Sequence, residues 1–315
     1  MIKLLKKVDA GIVVDYTGIS YKGGNDLHSS LFNEKLKVVT TTKGAELLSV
    51  ICNGREYMWQ GSTEYWEYHA PVLFPYVGRL TENKYQYKGH SFQMMIHGFA
   101  MDSEFSIIQE SDDHITYELR DNPKLFEVFP FAYSLRISYT LISSEIKVDY
   151  VVENLSNELI HFGIGAHPGF NVPLEDGLEF EDYYIQFSHG CKPDRISFSD
   201  NVLLGRTREP YALENSCINL KHNLFDNDAI VLENMGTCVS LESKKSSRKI
   251  KLTFPSMPYL GIWHANKTKA PYICIEPWAS LPSREGVIED ISCKSDLIHL
   301  VKGGTYINTW SMEFT

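Results

Sequence analysis

No stretch of about 18 apolar residues occurs anywhere in the 315-residue chain, so no segment reads as a membrane-crossing helix. The start, MIKLLKKVDAG, carries basic residues but reaches no apolar run of the length a secretory leader needs. Cysteine is sparse and unpaired in pattern. Cys52, Cys191, Cys217, Cys238, Cys274 and Cys293 form no CxxC motif and have no histidine-rich neighbour, which leaves zinc-ribbon and dithiol redox chemistry without support. Cys52 and Cys274 lie within apolar runs, where a thiol behaves as a small core hydrophobe. Concentrated positive charge is also missing. Thirty basic against forty acidic residues give a formal charge of −10, and the clusters at Lys3–Lys7 and Lys244–Lys251 are short and mixed. Such a surface repels phosphate backbones and anionic lipid, so neither nucleic acid nor membrane is expected as a partner. A reduced, cytoplasmic protein is the expectation.

Helical periodicity is nearly absent too. What the chain has instead is period-two alternation of apolar and polar residues. KLKVVTT, at Lys35–Thr41, reads as a strand, and a second apolar run over Ala45–Cys52 meets an Asn53-Gly54 turn before Arg55–Trp59 returns. Asn-Gly between two strand-like runs is a strong hairpin signal, because both turn residues tolerate positive φ. AYSLRISYTL and EIKVDYVVENLS flank Ile142-Ser143-Ser144 as a longer hairpin, and RKIKLTFPS, YLGIWHA, APYICIEP and TYINTWSMEFT extend the pattern to the end. Only short segments such as Lys124–Val128 have room for a turn or two of helix. Apolar residues at 43% and charged residues at 22% are ordinary globular values. The fold expected is all-β, a β-sandwich, with few short helices. One domain over 34–315 is expected, preceded by an extension at 1–33 in which VVDYTGISYKGG is a possible strand or two and NDLHSSLFN is polar and irregular.

Three segments place a polar group in a glycine-rich, proline-rich or apolar frame. Met95-Ile96-His97-Gly98-Phe99 follows PVLFPYVGRL, in which Arg79 is the one charged residue. HFGIGAHPGFNVPL holds His161 and His167. Tyr272–Trp278 is a β-type run carrying Glu276, and a carboxylate on a buried strand must be paired, protonated or functional. Each residue has an ordinary structural use as well: His97 and His167 as hydrogen-bonded loop residues, Arg79 as an ion-pair partner, Glu276 as a cap or pair, Trp278 as core. His90, His161, His222 and His264 are read as structural outright. A metal site of two histidines and a carboxylate would want a closely spaced H-x-D/E pair, which His97 and His167 do not make.

Taken in order, PVLFPYVGRL, HGFAMDSEF, GAHPGFNVPL, LFDNDAIVLEN, YLGIW and CIEPW resemble the galactose mutarotase-like superfamily, and within it the aldose 1-epimerases of the LacX-like branch. The resemblance spans about Leu36 to Met312. It implies a β-supersandwich with an open sugar cleft and cofactor-free interconversion of aldose anomers. It further implies that His97 and His167 are the paired histidines, Glu276 the base, His167 the acid, and Arg79 a sugar-binding arginine. Asp228 would bind a sugar hydroxyl, with Asp226 an open alternative two residues away, and Trp278 would stack on the pyranose. The partner is then a small sugar, acted on by a monomer or homodimer without bound metal. Two departures bear on substrate: Ala279–Ser283 follows CIEPW where relatives continue with a Tyr-Gly-type stretch and an aspartate, and Met101 stands in place of a common arginine. A hexose 6-phosphate would want several cations about the phosphate, and Arg79 alone is well placed, so a neutral aldohexose such as galactose or glucose is favoured. The alternatives are a hexose-6-phosphate 1-epimerase and a non-catalytic carbohydrate-binding protein on the same fold.

Overall fold

The alternation written into the chain becomes two large antiparallel sheets. The computed structural model describes residues 27–315. Glu145–Asn154 alternates half-buried and buried positions without exception, and its partner Tyr133–Ile142 pairs with it in register from Tyr133↔Asn154 to Ile142↔Glu145 around the expected Ser143-Ser144 turn. Ser143 takes φ 55°, as a two-residue hairpin turn requires. These two strands sit in a nine-stranded sheet that runs from Cys217–Asn219 at one edge, through Thr305–Phe314 beside Glu145–Asn154, to Ser106–Glu110 at the other. The Asn53-Gly54 turn closes the other expected hairpin, between Leu47–Cys52 and Arg55–Glu56, with both turn residues at positive φ. The one α-helix among the described residues, Pro123–Val128, is capped by the Asn122 side chain accepting from the Leu125 N–H at 3.0 Å.

The second large sheet, of eight strands, follows the order Leu204–Pro210, Asp194–Phe198, Ile230–Glu233, Tyr259–Trp263, Tyr272–Trp278, Gly165–Ala166 and Val72–Leu73, with Gly169–Asn171 also paired to Tyr272–Trp278. Between the layers lie large side chains removed from water, among them Tyr133, Tyr150, Phe131, Phe162 and Tyr183. Each aromatic or branched aliphatic side chain buried this way contributes about 1.5–3 kcal/mol by area, before conformational entropy is set against it. No helix among the described residues is long and apolar enough to cross a membrane.

One sequence reading is corrected here. NDLHSSLFN, taken as irregular and placed in the extension, contains a strand, His28–Phe32, paired antiparallel with Leu36–Thr41. Its inward positions are Ser29 and Leu31, both buried. A serine at a core-facing position erases the apolar half of the alternation, which is why the pattern is invisible in sequence. VVDYTGISYKGG lies outside the described residues.

Candidate active site

Tyr272–Trp278 is buried along its whole length, and period two divides its faces. Ile273 and Ile275 enter the core between the sheets, while Cys274, Glu276 and Trp278 point the other way; Glu276 and Trp278 line a cleft on the eight-stranded sheet, and Cys274 is buried beside it against Trp59, Ala265, Ala270 and Tyr272. Neighbouring glycines make the room. Gly261 pairs with Glu276 on the adjacent strand, and a Cβ there would come within 2.8 Å of the Trp278 ring.

The cleft has a volume of about 420 Å³, inside the range of small-molecule sites. It brings together all six residues singled out in the sequence: Arg79, His97, His167, Asp228, Glu276 and Trp278. Asp226 is not among its lining residues, so of the two aspartates only Asp228 faces the cleft. Met101 and Pro282, both within the segments singled out in the sequence as bearing on substrate, also line it.

His167 Nε2 stands 3.3 Å from Glu276 Oε2, and the rings of His97 and His167 meet edge to face with centroids 5.5 Å apart. Two of the site residues hold left-handed backbones, His97 at φ 66° and Asp228 at φ 75°. Such conformations cost about 1–3 kcal/mol at a non-glycine residue and concentrate at functional sites. His97 is held there by a two-way tie to Gly78. The His97 N–H donates to the Gly78 carbonyl at 3.0 Å, and the Gly78 N–H donates to His97 Nδ1 at 3.1 Å, so the proton of the neutral ring sits on Nε2.

The aldose 1-epimerase family profile matches residues 28–285. The chain belongs to that family. Its similarity to the LacX-like branch is direct: it is 34% identical over 274 residues to the chromosomal LacX protein of Lactococcus lactis subsp. lactis, covering 82% of this chain and 91% of that one. Among solved structures, a galactose mutarotase related enzyme from Lactobacillus acidophilus superposes with TM-score 0.87 at 34% identity, covering 92% of this chain and 97% of the other. A galactose mutarotase-like protein from Lactobacillus casei superposes with TM-score 0.86 at 29% identity, covering 91% and 100%. The β-supersandwich expected from the sequence is thus the fold of the family.

In this aldose 1-epimerase relative, two aromatic residues complete the cleft that the sequence reading did not assign. Trp66 stacks on His167 with centroids 4.8 Å apart and planes 27° from parallel, and Trp263 meets the same imidazole edge-on at 5.8 Å. Trp263 sits in the YLGIW motif and had a sequence signal. Trp66, in GSTEYWEYH, had none. The segment that carries Trp66 is pinned by Glu46, whose carboxylate accepts the His69 and Ala70 N–H groups at 2.7 and 2.9 Å. Trp278, by contrast, is only 4% exposed and floors the cleft from below.

Electrostatics favour the neutral forms of Glu276, His167 and His97. Burial, reinforced by Asp228, pushes Glu276 well above the usual carboxylate range, and the Trp278 indole N–H opposes the shift. Burial and then His97 hold His167 well below the usual imidazole value, while burial and the Arg79 charge lower His97 to about 3. Among the described residues one further property stands out: His167, Cys274 and Glu276 bring their donor atoms within 4.8 Å of one another.

Lowered histidines are expected to set the acid response of the fold. A group with a depressed folded-state pKa binds its proton more readily in the unfolded chain, so its contribution is present above the unfolded value near 6.5 and is lost as the pH falls. His69 and His264, each lowered by burial to about 4, act in this sense together with His97, His161, His167 and His222. Glu46, raised by burial to about 7, acts oppositely, as do Glu56 and Glu276. The histidines outnumber the carboxyls, and the expected result is a melting temperature lower by roughly 5 °C or more at pH 4.5 than at pH 7. A flat or rising melting temperature on acidification, followed by circular dichroism, would contradict this balance.

Proposed function

We propose that this protein is an aldose 1-epimerase that interconverts the α and β anomers of a neutral aldohexose by metal-free acid/base ring opening. The observation that carries the reading is the buried His167–Glu276 pair at 3.3 Å on the cleft floor. Mutarotation needs one group to take the proton from the C1 hydroxyl and another to protonate the ring oxygen, after which the open aldehyde turns and recloses. The pair has one exchangeable proton and is uncharged overall whether that proton sits on the carboxyl or on the imidazole. Burial favours the uncharged partners at rest, and the approach of sugar hydroxyls favours Glu276 as base with His167 as acid. Each positioned proton transfer supplies about 10²–10⁴ in rate. His97, neutral with its proton on Nε2, would donate a hydrogen bond to a ring or hydroxyl oxygen. Arg79 at the rim and Asp228 opposite would take further hydroxyls, and Trp66 and Trp263 would offer aromatic faces to the pyranose.

Charge favours a neutral sugar. Among the described residues Arg79 is the sole cation lining the cleft, which also carries Asp102, Asp228 and Glu276. A phosphate dianion would meet three carboxyl groups and one guanidinium. The test is polarimetry of freshly dissolved α-D-galactose and α-D-glucose beside their 6-phosphates. The expected outcome is faster decay of optical rotation for one or both neutral sugars, with kcat/KM for a 6-phosphate at least about tenfold lower, a difference of about 1.4 kcal/mol. Equal or better turnover of a 6-phosphate would move the substrate to that class. Sugar binding without any acceleration would leave the non-catalytic binding protein.

A further inference from the structure

We propose that His167, Cys274 and Glu276 form a binding site for a borderline-soft divalent cation, Zn²⁺ or Cd²⁺, and that the ion shuts the epimerase off by occupying its acid and base. The inhibitory half rests on the acid/base reading above; the binding half does not.

The geometry comes from one strand and the loop beside it. Cys274 and Glu276 are two residues apart on Tyr272–Trp278 and so share its cleft-facing side. His167 approaches from HPGF, anchored by its own N–H donating to the Pro71 carbonyl at 3.1 Å. One donor atom from each of the three lies within 4.8 Å of the others, and all three side chains are buried. Shifts of about an ångström would bring them to the bond lengths of about 2.0–2.3 Å that zinc takes from nitrogen, oxygen and sulfur. The cleft lies above them, so the fourth tetrahedral position would be open to water, the arrangement of three protein ligands and one exchangeable site.

The donor set selects the ion. A thiol, an imidazole and a carboxyl suit zinc and cadmium, whereas magnesium and calcium want an oxygen cage. Charge also balances: thiolate and carboxylate together carry −2, so the loaded site is neutral and tolerable in an apolar interior, which a lone divalent ion would not be. Loading releases two protons, one from the Cys274 thiol and one from the Glu276 carboxyl, while His167 would bind through an unprotonated ring nitrogen. Affinity therefore rises with pH. Asp102 and Asp228 at the cleft wall draw a cation in, with Arg79 the one opposing charge among the described residues that line it. Cys274 has no part in moving the sugar's protons, which makes it the handle that separates metal binding from turnover.

The test uses the full chain, stripped with a chelator and with exposed thiols such as Cys293 alkylated beforehand under native conditions. Cd²⁺ is titrated while thiolate-to-cadmium charge-transfer absorption is followed, and Zn²⁺ binding is measured by calorimetry. One equivalent is expected to bind, with the absorption band appearing, the melting temperature rising and anomer interconversion falling in step with occupancy. In Cys274→Ala, or Cys274→Ser should the first fold poorly, metal-free turnover stays within about threefold, the band vanishes, and Zn²⁺ affinity falls at least about 100-fold, or about 2.7 kcal/mol. No band in the unsubstituted protein, or a band that survives Cys274→Ala, overturns the site. Binding at one equivalent with turnover unchanged overturns the inhibition. If the protein turns over no aldose at all, absorption and calorimetry still decide the binding half.

Discussion

Glu276→Gln loses about 10³-fold in kcat for anomer interconversion while KM shifts by less than about threefold. The size follows from what a positioned proton transfer supplies, about 10²–10⁴. Glutamine keeps the shape of the side chain and its place beside His167 but accepts no proton. The fold does not suffer, because the substitution removes an ionisable group that is 2% exposed and already driven toward its neutral form. The melting temperature should stay the same or rise slightly. Adding His167→Asn to Glu276→Gln costs little more than either change alone, since residues that act as one unit are not additive. A variant that retains half the rate would remove Glu276 from the base role. A variant that fails to fold would show that the carboxyl is structural.

Gly98→Ala is expected to cost about 3 kcal/mol or more in unfolding free energy, the largest effect on stability of any single methyl added near the site. Gly98 has φ 80°, and a Cβ there would lie 2.2 Å from the Phe74 carbonyl oxygen. That oxygen already accepts from the Phe99 and Ala100 N–H groups at 3.0 and 3.1 Å, so it has no freedom to retreat. The neighbouring His97 would be carried along, and activity should fall with stability. Gly89→Ala is the control. Its φ of 77° imposes the same backbone cost, but nothing lies within 4 Å of the added carbon, and about 1 kcal/mol is expected. Equal denaturation midpoints for the two variants would show that the contact with Phe74 carries no weight.

The hairpins were readable because their turns are local chemistry. Ser143-Ser144 follows and precedes runs of clear alternation and Asn53-Gly54 ends a short apolar run, and the structure closes each hairpin where expected. His28–Phe32 was unreadable because Ser29 occupies an inward position and hides the period. The proposed acid/base residues were visible as anomalies, a carboxylate in an apolar strand and histidines among glycines, but their convergence was not. His97, His167 and Glu276 lie on separate segments that only the eight-stranded sheet brings together, and nothing in their spacing encodes it. Ordered motifs, not spacing, supplied that link. Trp66 escaped for a related reason. Its carbonyl is held by the Ser62 N–H at 2.8 Å and the Trp59 indole N–H at 2.9 Å, while Glu46, more than twenty residues upstream, holds the following backbone at His69 and Ala70, and none of these ties shows as a periodic pattern. Cys274 was read as a small core hydrophobe, and its burial fits; what the apolar run concealed is that it faces the same way as Glu276.

The stacking of Trp66 on His167 has an optical consequence. A protonated imidazole in contact with an indole quenches its emission, whereas a neutral one does so far less. On the acid/base reading proposed above, the tryptophan that walls the cleft is a built-in lamp whose brightness would depend on where the proton of the His167–Glu276 pair resides. Dimming would mark its arrival on the imidazole, and recovery its return to the carboxyl, so the proposed itinerary of the proton would be written in the protein's own light.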